Sequence, residues 1–396
     1  MQNIIVDKPY RFVPPKLSPL WTRLIHAVLP MYLRRKHGIT SFECVGADRL
    51  RKSLDEGAGV MLAANHCRPA DPMVMGLLSR ELARPFTVMA SWHVFMESRL
   101  QSFLVQRMGG FSVYREGLDR ESLKCAINIL AEARHPLVIF PEGIITRNND
   151  RLFNLMDGVT FLARAAAKQR AASSQPGRVV IHPVFLRYRF EGDIEATLAP
   201  VMNDIESRLS WQPQTQLPLV DRIVKVGHAL LALKEVEHLG EIHSGEAGER
   251  IRHLLNRVLE PLESEWTAGN HDGEVMARIK RLRTAILPDL ITGEIDERER
   301  ARRWRQLSDL YFAQQLHCYS GDYLAGQPSN DRLLETVERF EEDLTDAARA
   351  HSPMRVTLHV GEALEASSAR DRTTSTDPLA DSLRASLQSL LESRKI

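Results

Sequence analysis

Residues 59–72 read Gly59-Val60-Met61-Leu62-Ala63-Ala64-Asn65-His66-Cys67-Arg68-Pro69-Ala70-Asp71-Pro72. A nearly unbroken apolar run, then a polar turn, then Asp-Pro, describes a strand covered on both faces that ends in a loop and opens a helix. Asp71 is suited to cap that helix, and Pro72 to its first turn, where a missing N–H costs nothing. His66 then falls in the strand-to-helix loop, at the C-terminal edge where open α/β sheets bind ligands. An aspartate five residues beyond a histidine, across such a turn, folds back onto one imidazole nitrogen and leaves the other facing outward. That arrangement fixes the tautomer and strengthens the ring as a general base. The same spacing also fits a capping aspartate beside an incidental loop histidine, and on these residues alone both readings stand.

Outward from this stretch, short apolar runs alternate with amphipathic ones from residue 39 to about 190. Strands are predicted over 39–46, 59–65, 85–90, 111–115, 137–140 and 178–188, with helices starting near Asp71, Ser91, Asp119 and Asn154. Alternation of this kind predicts an α/β fold with a mainly parallel central sheet flanked by helices. Residues 204–352 differ: long helical periods rich in Arg, Glu and Leu are broken at Pro213, Pro218, Pro261, Pro288 and Pro328. They predict a large all-helical insertion of five or six helices without a catalytic signature, its charges lying on solvated faces. Residues 354–360 alternate with period two, and a lone strand needs a sheet to pair its backbone. It is expected to return to the first sheet, followed by a helix from about Asp377 with Leu379, Leu383, Leu387, Leu390 and Leu391 on one face. The expected organisation is an amphipathic segment over 1–38, an α/β domain over 39–203 plus 353–396, and the insertion over 204–352.

Within the first segment, Leu20, Trp21, Leu24, Ile25, Val28 and Leu29 share one helical face. Pro30 is expected to interrupt that helix, and Arg34, Arg35 and Lys36 follow it. An apolar stripe with Trp and Tyr beside a basic cluster suits a membrane interface, and packing on the protein's own core explains it equally. No run of about 18 apolar residues occurs, so no membrane-spanning helix is expected. The start, MQNIIVDKPYRF, lacks the pattern of a secretory signal. Lys plus Arg is 52 against 51 Asp plus Glu, a net charge of +1 that argues against broad nucleic-acid binding. Cys44, Cys67, Cys125 and Cys318 are scattered, which fits a reducing cytoplasm and suggests neither a disulfide frame nor a metal site.

Three further strings follow the first in order: Gly109-Gly110-Phe111-Ser112-Val113-Tyr114-Arg115, Phe140-Pro141-Glu142-Gly143-Ile144-Ile145-Thr146-Arg147, and Val179-Val180-Ile181-His182-Pro183-Val184. With Asn65-His66 and Asp71, and with Val360-Gly361-Glu362-Ala363-Leu364 near the end, the chain resembles the glycerol-3-phosphate and lysophosphatidate acyltransferase family. The likeness covers residues 40 to 190 and the end of the chain.

The resemblance implies an O-acyltransferase. His66 would be the general base on the acceptor hydroxyl, and Asp71 would orient it. The hydroxyl would attack the thioester of acyl-CoA or of an acyl-carrier protein directly, with no further cofactor and no metal. Among substrate-binding residues, Arg115 would hold the acceptor's phosphate through its planar fork. Asn65, Gly110, Glu142, Gly143 and Pro183 would shape the pocket, Glu142 by organising donors and Pro183 on the acyl side. Cys67 would be packing. The third string departs from the family's pattern: Ile144-Ile145 stands where Thr-Arg follows the glycine, and Arg147 would supply the charge from two places further on. The partners implied are a lipid acceptor, an acyl thioester donor such as the acyl-carrier protein, and a membrane surface. A cytoplasmic enzyme, peripheral on the inner membrane face, is expected. Competing readings are acylation of a non-glycerophosphate lipid, a thioesterase or esterase using the same pair, and a non-enzymatic lipid-binding scaffold. Arg115 as a strand-end ion pair and Gly143 as a turn glycine remain the plain alternatives for those residues.

Overall fold

A computed structural model describes residues 5–174, 176–347, 349–368 and 377–393. The chain divides into two compact units, an α/β unit of Phe12–Tyr114, Asp119–Gly192 and the chain from Ala350 on, and a helical unit of residues 5–11, Arg115–Leu118 and Asp193–Arg349.

The α/β unit opens with α1 (Pro19–His37), β1 (Ile39–Val45), α2 (Ala47–Asp55), β2 (Gly59–Ala64) and α3 (Asp71–Glu81). It continues through β3 (Thr87–Ser91), α4 (His93–Met96), α5 (Arg99–Arg107), β4 (Gly110–Val113), α6 (Arg120–Glu132), β5 (Leu137–Ile139), α7 (Gly158–Ala171) and β6 (Val179–Phe190). After the helical unit the chain returns as β7 (Met354–Val360), β8 (Leu364–Glu365) and α14 (Pro378–Glu392). The sheet order is β1-β7-β6-β2-β5-β3-β4, with β8 on β6. All neighbours run parallel except β7 and β8 against β6. This is the mostly parallel, helix-flanked sheet that the alternation predicted.

Every residue of β2 and β5 is buried, as strands covered on both faces require. The late strand β7 fills the gap between β1 and β6 and so satisfies its backbone on both edges. Leu379, Leu383, Leu387 and Leu391 of α14 are buried, and Asp377 caps that helix by accepting from Leu379 N at 3.1 Å. Strand β2 lies between β6 and β5, where the connections change side, so the loop carrying His66 sits at the switch point of the sheet.

Two local expectations fail. Helix α1 runs unbroken through Pro30. A proline removes one helical hydrogen bond, and the packing of α1 on α3 and β1, with Leu29 and Leu33 buried, holds the helix on both sides of it. The apolar face of α1 is also divided: Leu29 is buried, but Leu20, Leu24 and Val28, with Met31 and Tyr32, are exposed. Helix α2, not anticipated, is a short helix that buries Ala47, Leu50 and Ser53.

The helical unit holds α8 (Ile194–Arg208), α9 (Leu219–Leu239), α10 (Ala247–Trp266), α11 (Val275–Thr292), α12 (Glu297–His317) and α13 (Asn330–Thr345). It begins at Asp193 rather than 204, because α8 packs on α9 and α13. Its construction is repetitive. Arg222-Ile223, Arg250-Ile251 and Arg278-Ile279 recur every 28 residues near the starts of α9, α10 and α11. Each arginine forks onto a glutamate of the preceding helix: Arg222 Nε and Nη2 on Glu206 at 3.1 and 2.8 Å, Arg250 on Glu235 at 3.0 and 2.6 Å, Arg278 on Glu263 at 2.7 and 2.9 Å. The three carboxylates are fully buried. In each loop another donor completes the carboxylate, Gln214 N, His243 N or His271 Nδ1. A buried pair satisfied in this way fixes one helix against the next.

Candidate active site

Asn65 pins the end of β2. Its Oδ1 accepts from Leu186 N at 2.7 Å and its Nδ2 donates to Leu186 O at 3.1 Å, so the amide is spent on the β6 backbone. Buried and committed in this way, Asn65 acts by positioning the next residue.

His66 Nδ1 lies 2.8 Å from Asp71 Oδ2. Arg68 N donates to the same oxygen at 2.8 Å, and Tyr188 Oη donates to Asp71 Oδ1 at 2.6 Å. Arg68 N and Tyr188 Oη both donate to this fully buried side chain, which accepts from His66 Nδ1 in the tautomer that leaves the Nε2 lone pair facing away. The His66 side chain is 15% exposed, and among the described residues no hydrogen bond engages Nε2. The imidazole stacks on Phe140 with centroids 4.2 Å apart and planes 26° from parallel, which fixes its tilt. Burial, then the adjacent Asp71 charge, pushes the Tyr188 phenol well above its ordinary range, so it stays protonated and donates. Asp71 is therefore no helix cap. Ala70 holds the N-cap position, and every oxygen of Asp71 is engaged by the loop and by β6.

The loop after β5 supports the main chain of His66. Glu142 Oε1 accepts from His66 N at 2.8 Å and Oε2 from Phe153 N at 2.9 Å. Burial pushes the Glu142 carboxyl above its usual value, against these two donors. Thr146 N donates to His66 O at 2.8 Å and Thr146 Oγ1 to the same oxygen at 3.2 Å. The peptide groups flanking His66 are thus clamped on both sides. Gly143 has φ +72°, and a Cβ there would stand 2.8 Å from Met156 Sδ, so this turn takes only glycine. Asn149 pairs with Tyr188 as Asn65 does with Leu186, donating to its O at 2.6 Å and accepting from its N at 2.8 Å.

Residues 41–187 match the model of a family described as Acyltransferase. Over those residues the α/β unit is similar to that family. Among curated proteins, none matches the chain.

The α/β unit brings together His66, Asp71, Asn65, Glu142 and Gly143 of the residues singled out in the sequence. Gly110 is buried in β4, where a Cβ would meet Val105 Cγ1 at 2.4 Å, so its small size lets α5 approach. Pro183 lies in β6 opposite Ala63, its O accepting from Gly361 N at 2.8 Å where β6 changes partner from β8 to β7. Arg147 takes φ +58° beside Thr146 and is half-buried. Arg115 groups with the helical unit. Cys67 is buried, its Sγ 4.0 Å from Leu186 O, as packing requires. Among the described residues no cluster of His, Cys, Asp and Glu is arranged to hold a metal ion.

Tyr188, Asn149, Phe140 and Thr146 were not singled out as parts of the site. Tyr188 carried a usable signal: a tyrosine in a strand that opens as a long, mostly apolar run needs a partner for its hydroxyl once buried. Thr146 and Arg147 lie two places beyond where the resemblance expects a Thr-Arg pair, after Ile144, which is buried, and Ile145.

Proposed function

We propose that the protein transfers a fatty acyl group from acyl-CoA or acyl-carrier protein to a free hydroxyl of lysophosphatidate or a similar lysoglycerophospholipid. The observation that carries this reading is the 2.8 Å contact of His66 Nδ1 with Asp71, on a partly exposed ring whose Nε2 is unengaged. Nε2 takes the proton of the acceptor hydroxyl as its oxygen bonds to the thioester carbonyl carbon. The tetrahedral intermediate then expels the thiolate, which recovers the proton from the imidazolium. Asp71 stabilises that imidazolium and Tyr188 holds Asp71 in place. The third string supports a phosphorylated acceptor through Arg147.

The test is transfer by the pure protein from labelled acyl-CoA and acyl-carrier protein to lysophosphatidate and to phosphate-free lysolipids and alcohols. Transfer to lysophosphatidate, lowered about 10²–10⁴-fold by His66→Ala with folding intact, is the expected result. Acyl release at equal rate with and without acceptor would instead establish a thioesterase.

The same reading places the enzyme in the cytoplasm, on the inner membrane surface. No described helix is long and apolar enough to cross a membrane. Leu20 is 66% and Leu24 52% exposed on α1, in line with Val28 and Met31, and exposed Arg34, Arg35 and Lys36 close the helix. Trp21 meets Phe103 of α5 edge-on at 5.4 Å, which joins this face to exposed Leu100 and Met96 and to Arg99 and Arg107. Apolar side chains rimmed by cations match an anionic bilayer. The protein should float with phosphatidylglycerol vesicles and less with phosphatidylcholine, and Leu24→Glu/Val28→Glu should release it. Unchanged flotation of that variant would exclude α1.

A further inference from the structure

A groove of about 380 Å³ follows one face of α5. Arg99, Ser102, Phe103, Gln106 and Arg107 line it from the helix, at the three- and four-residue steps that put side chains in one row. Lys16 lines it from the segment before α1. That segment is tied to the last turn of α5, where Lys16 N donates to Gln106 O and Ser18 N to Arg107 O, each at 3.0 Å.

Three cations share this groove, and no carboxylate lines it. Among the described residues none of the three pairs with an acid. Glu97, close to Arg99 in the chain, accepts instead from Gln101 Nε2 at 2.7 Å. The Arg107 guanidinium lies over the Phe103 ring, 5.1 Å from its centroid, and this contact holds it along the groove. Helix electrostatics accounts for Arg107 alone, a cation in the last turn. Arg99 stands in the first turn, where a positive charge opposes the helix dipole and no acid offsets it. Lys16 belongs to no helix.

We infer that this groove binds the phosphate head of an anionic phospholipid. Lys16 and Arg107, brought together at one end of α5, offer a point charge and a planar fork to the phosphate oxygens. The Gln106 amide donates to Ser102 O at 3.2 Å and to its Oγ at 3.3 Å, which leaves the Ser102 hydroxyl proton and Gln106 Oε1 for the hydroxyls of a head group. Arg99 is roughly 12 Å away along the helix axis, too far to share that phosphate, and adds to the field of the groove. Met96, Leu100 and Phe103 are exposed beside these charges, and Phe103 meets Trp21 of α1. A soluble phosphate has no use for such apolar neighbours, whereas a lipid lays the start of its chains on them. Choosing a lipid over a soluble phosphate ester rests on the membrane reading above, and the anion site itself does not. Diffuse attraction to a charged bilayer needs no groove and has no stoichiometry, so the two are separable.

Calorimetric titration of the full chain tests it, with dihexanoyl phosphatidylglycerol below its micelle concentration and with dihexanoyl phosphatidylcholine and glycerol 3-phosphate as controls. Phosphatidylglycerol should bind saturably, one to one, and more tightly than either control. Lys16 is exposed and Arg107 half-buried, so Lys16→Gln/Arg107→Gln should fold and should bind on the order of ten- to a hundredfold more weakly. Lys16→Arg, which keeps the charge, should retain the affinity, and Arg99→Gln should lower it less than the double change does. Leu24→Glu/Val28→Glu should bind the soluble lipid as the native chain does, even where it no longer floats with vesicles. Equal affinity of Lys16→Gln/Arg107→Gln and the native chain overturns the groove and leaves the membrane reading of α1 standing. Binding of glycerol 3-phosphate as tight as that of phosphatidylglycerol overturns the lipid assignment.

Discussion

Replacing Asp71 by asparagine separates the charge of this residue from its shape. Oδ2 accepts from His66 Nδ1 and from Arg68 N, each at 2.8 Å, and Oδ1 from Tyr188 Oη at 2.6 Å. The Arg68 N–H is part of the main chain and cannot turn away, so the new amide must set its oxygen there and its NH2 toward Tyr188. A phenol rotates its proton and accepts instead. All three contacts survive, His66 keeps its proton on Nδ1, and stability should change by less than about 1 kcal/mol. What disappears is the carboxylate beside the imidazolium that forms during transfer. An opposite charge in contact is worth about 1–3 pKa units, or roughly 1.4–4 kcal/mol. At about 1.36 kcal/mol per tenfold, kcat should fall about 10- to 10³-fold.

Alanine at the same position tells the other half. It leaves three buried donors without an acceptor, at about 1–3 kcal/mol each, and should destabilise the α/β unit severely. The assay is acyl transfer under saturating donor, beside urea unfolding of both variants. A kcat for Asp71→Asn within twofold of the native value, with folding intact, would refute the role assigned to the carboxylate. So would a loss of activity that merely tracks loss of stability.

Tyr188→Phe leaves Asp71 Oδ1 buried without its donor, which should cost about 1–3 kcal/mol in urea unfolding and lower kcat less than Asp71→Asn does. Arg250→Met strands the buried Glu235 carboxylate and should cost about 3–5 kcal/mol in the helical unit, whereas Arg250→Met/Glu235→Leu should recover most of that loss. The hydrogen bonds from Arg250 hold Glu235 below the usual carboxylate range. A depressed folded value means the stabilisation is complete above the ordinary range, about pH 4.5, and is lost as pH falls toward the depressed one. Acid unfolding followed by circular dichroism should therefore show a shallower stability loss below about pH 4.5 in the double variant than in the native chain.

The strands were legible because burial on both faces writes itself as unbroken apolar runs, Gly59–Ala64 and Leu137–Ile139 above all. His66 and Asp71 were legible as a pair because they are close in the chain. What Asp71 does was not, because capping and orienting ask for the same residue at the same place. The choice is made by Tyr188, 117 residues further on, and no local pattern reports it. Asn149 is hidden for the same reason, its partner Tyr188 lying 39 residues further on in β6. The displaced Thr146 shows the reverse case. Gly143 and Arg147 both take positive φ, so the two extra residues are absorbed in the turn and the threonine still reaches the His66 carbonyl.

The helical unit was legible as helices and opaque as an architecture. Its leucines and charges have the same period in any bundle, whereas the 28-residue recurrence shows only when each arginine is matched to a glutamate one helix back. Once the pairs are known, the repeat becomes a standard against which each position can be judged. Apolar residues at the fourth position after each arginine, Val226, Leu254 and Leu282, are all fully buried and keep to it. Arg283, one residue later, does not. At that position the second repeat buries Leu255 and the third buries Arg283, whose Nη1 donates to Gln314 Oε1 of α12 at 2.9 Å, so the core position takes a cation together with a polar partner 31 residues further on that the repeat does not announce.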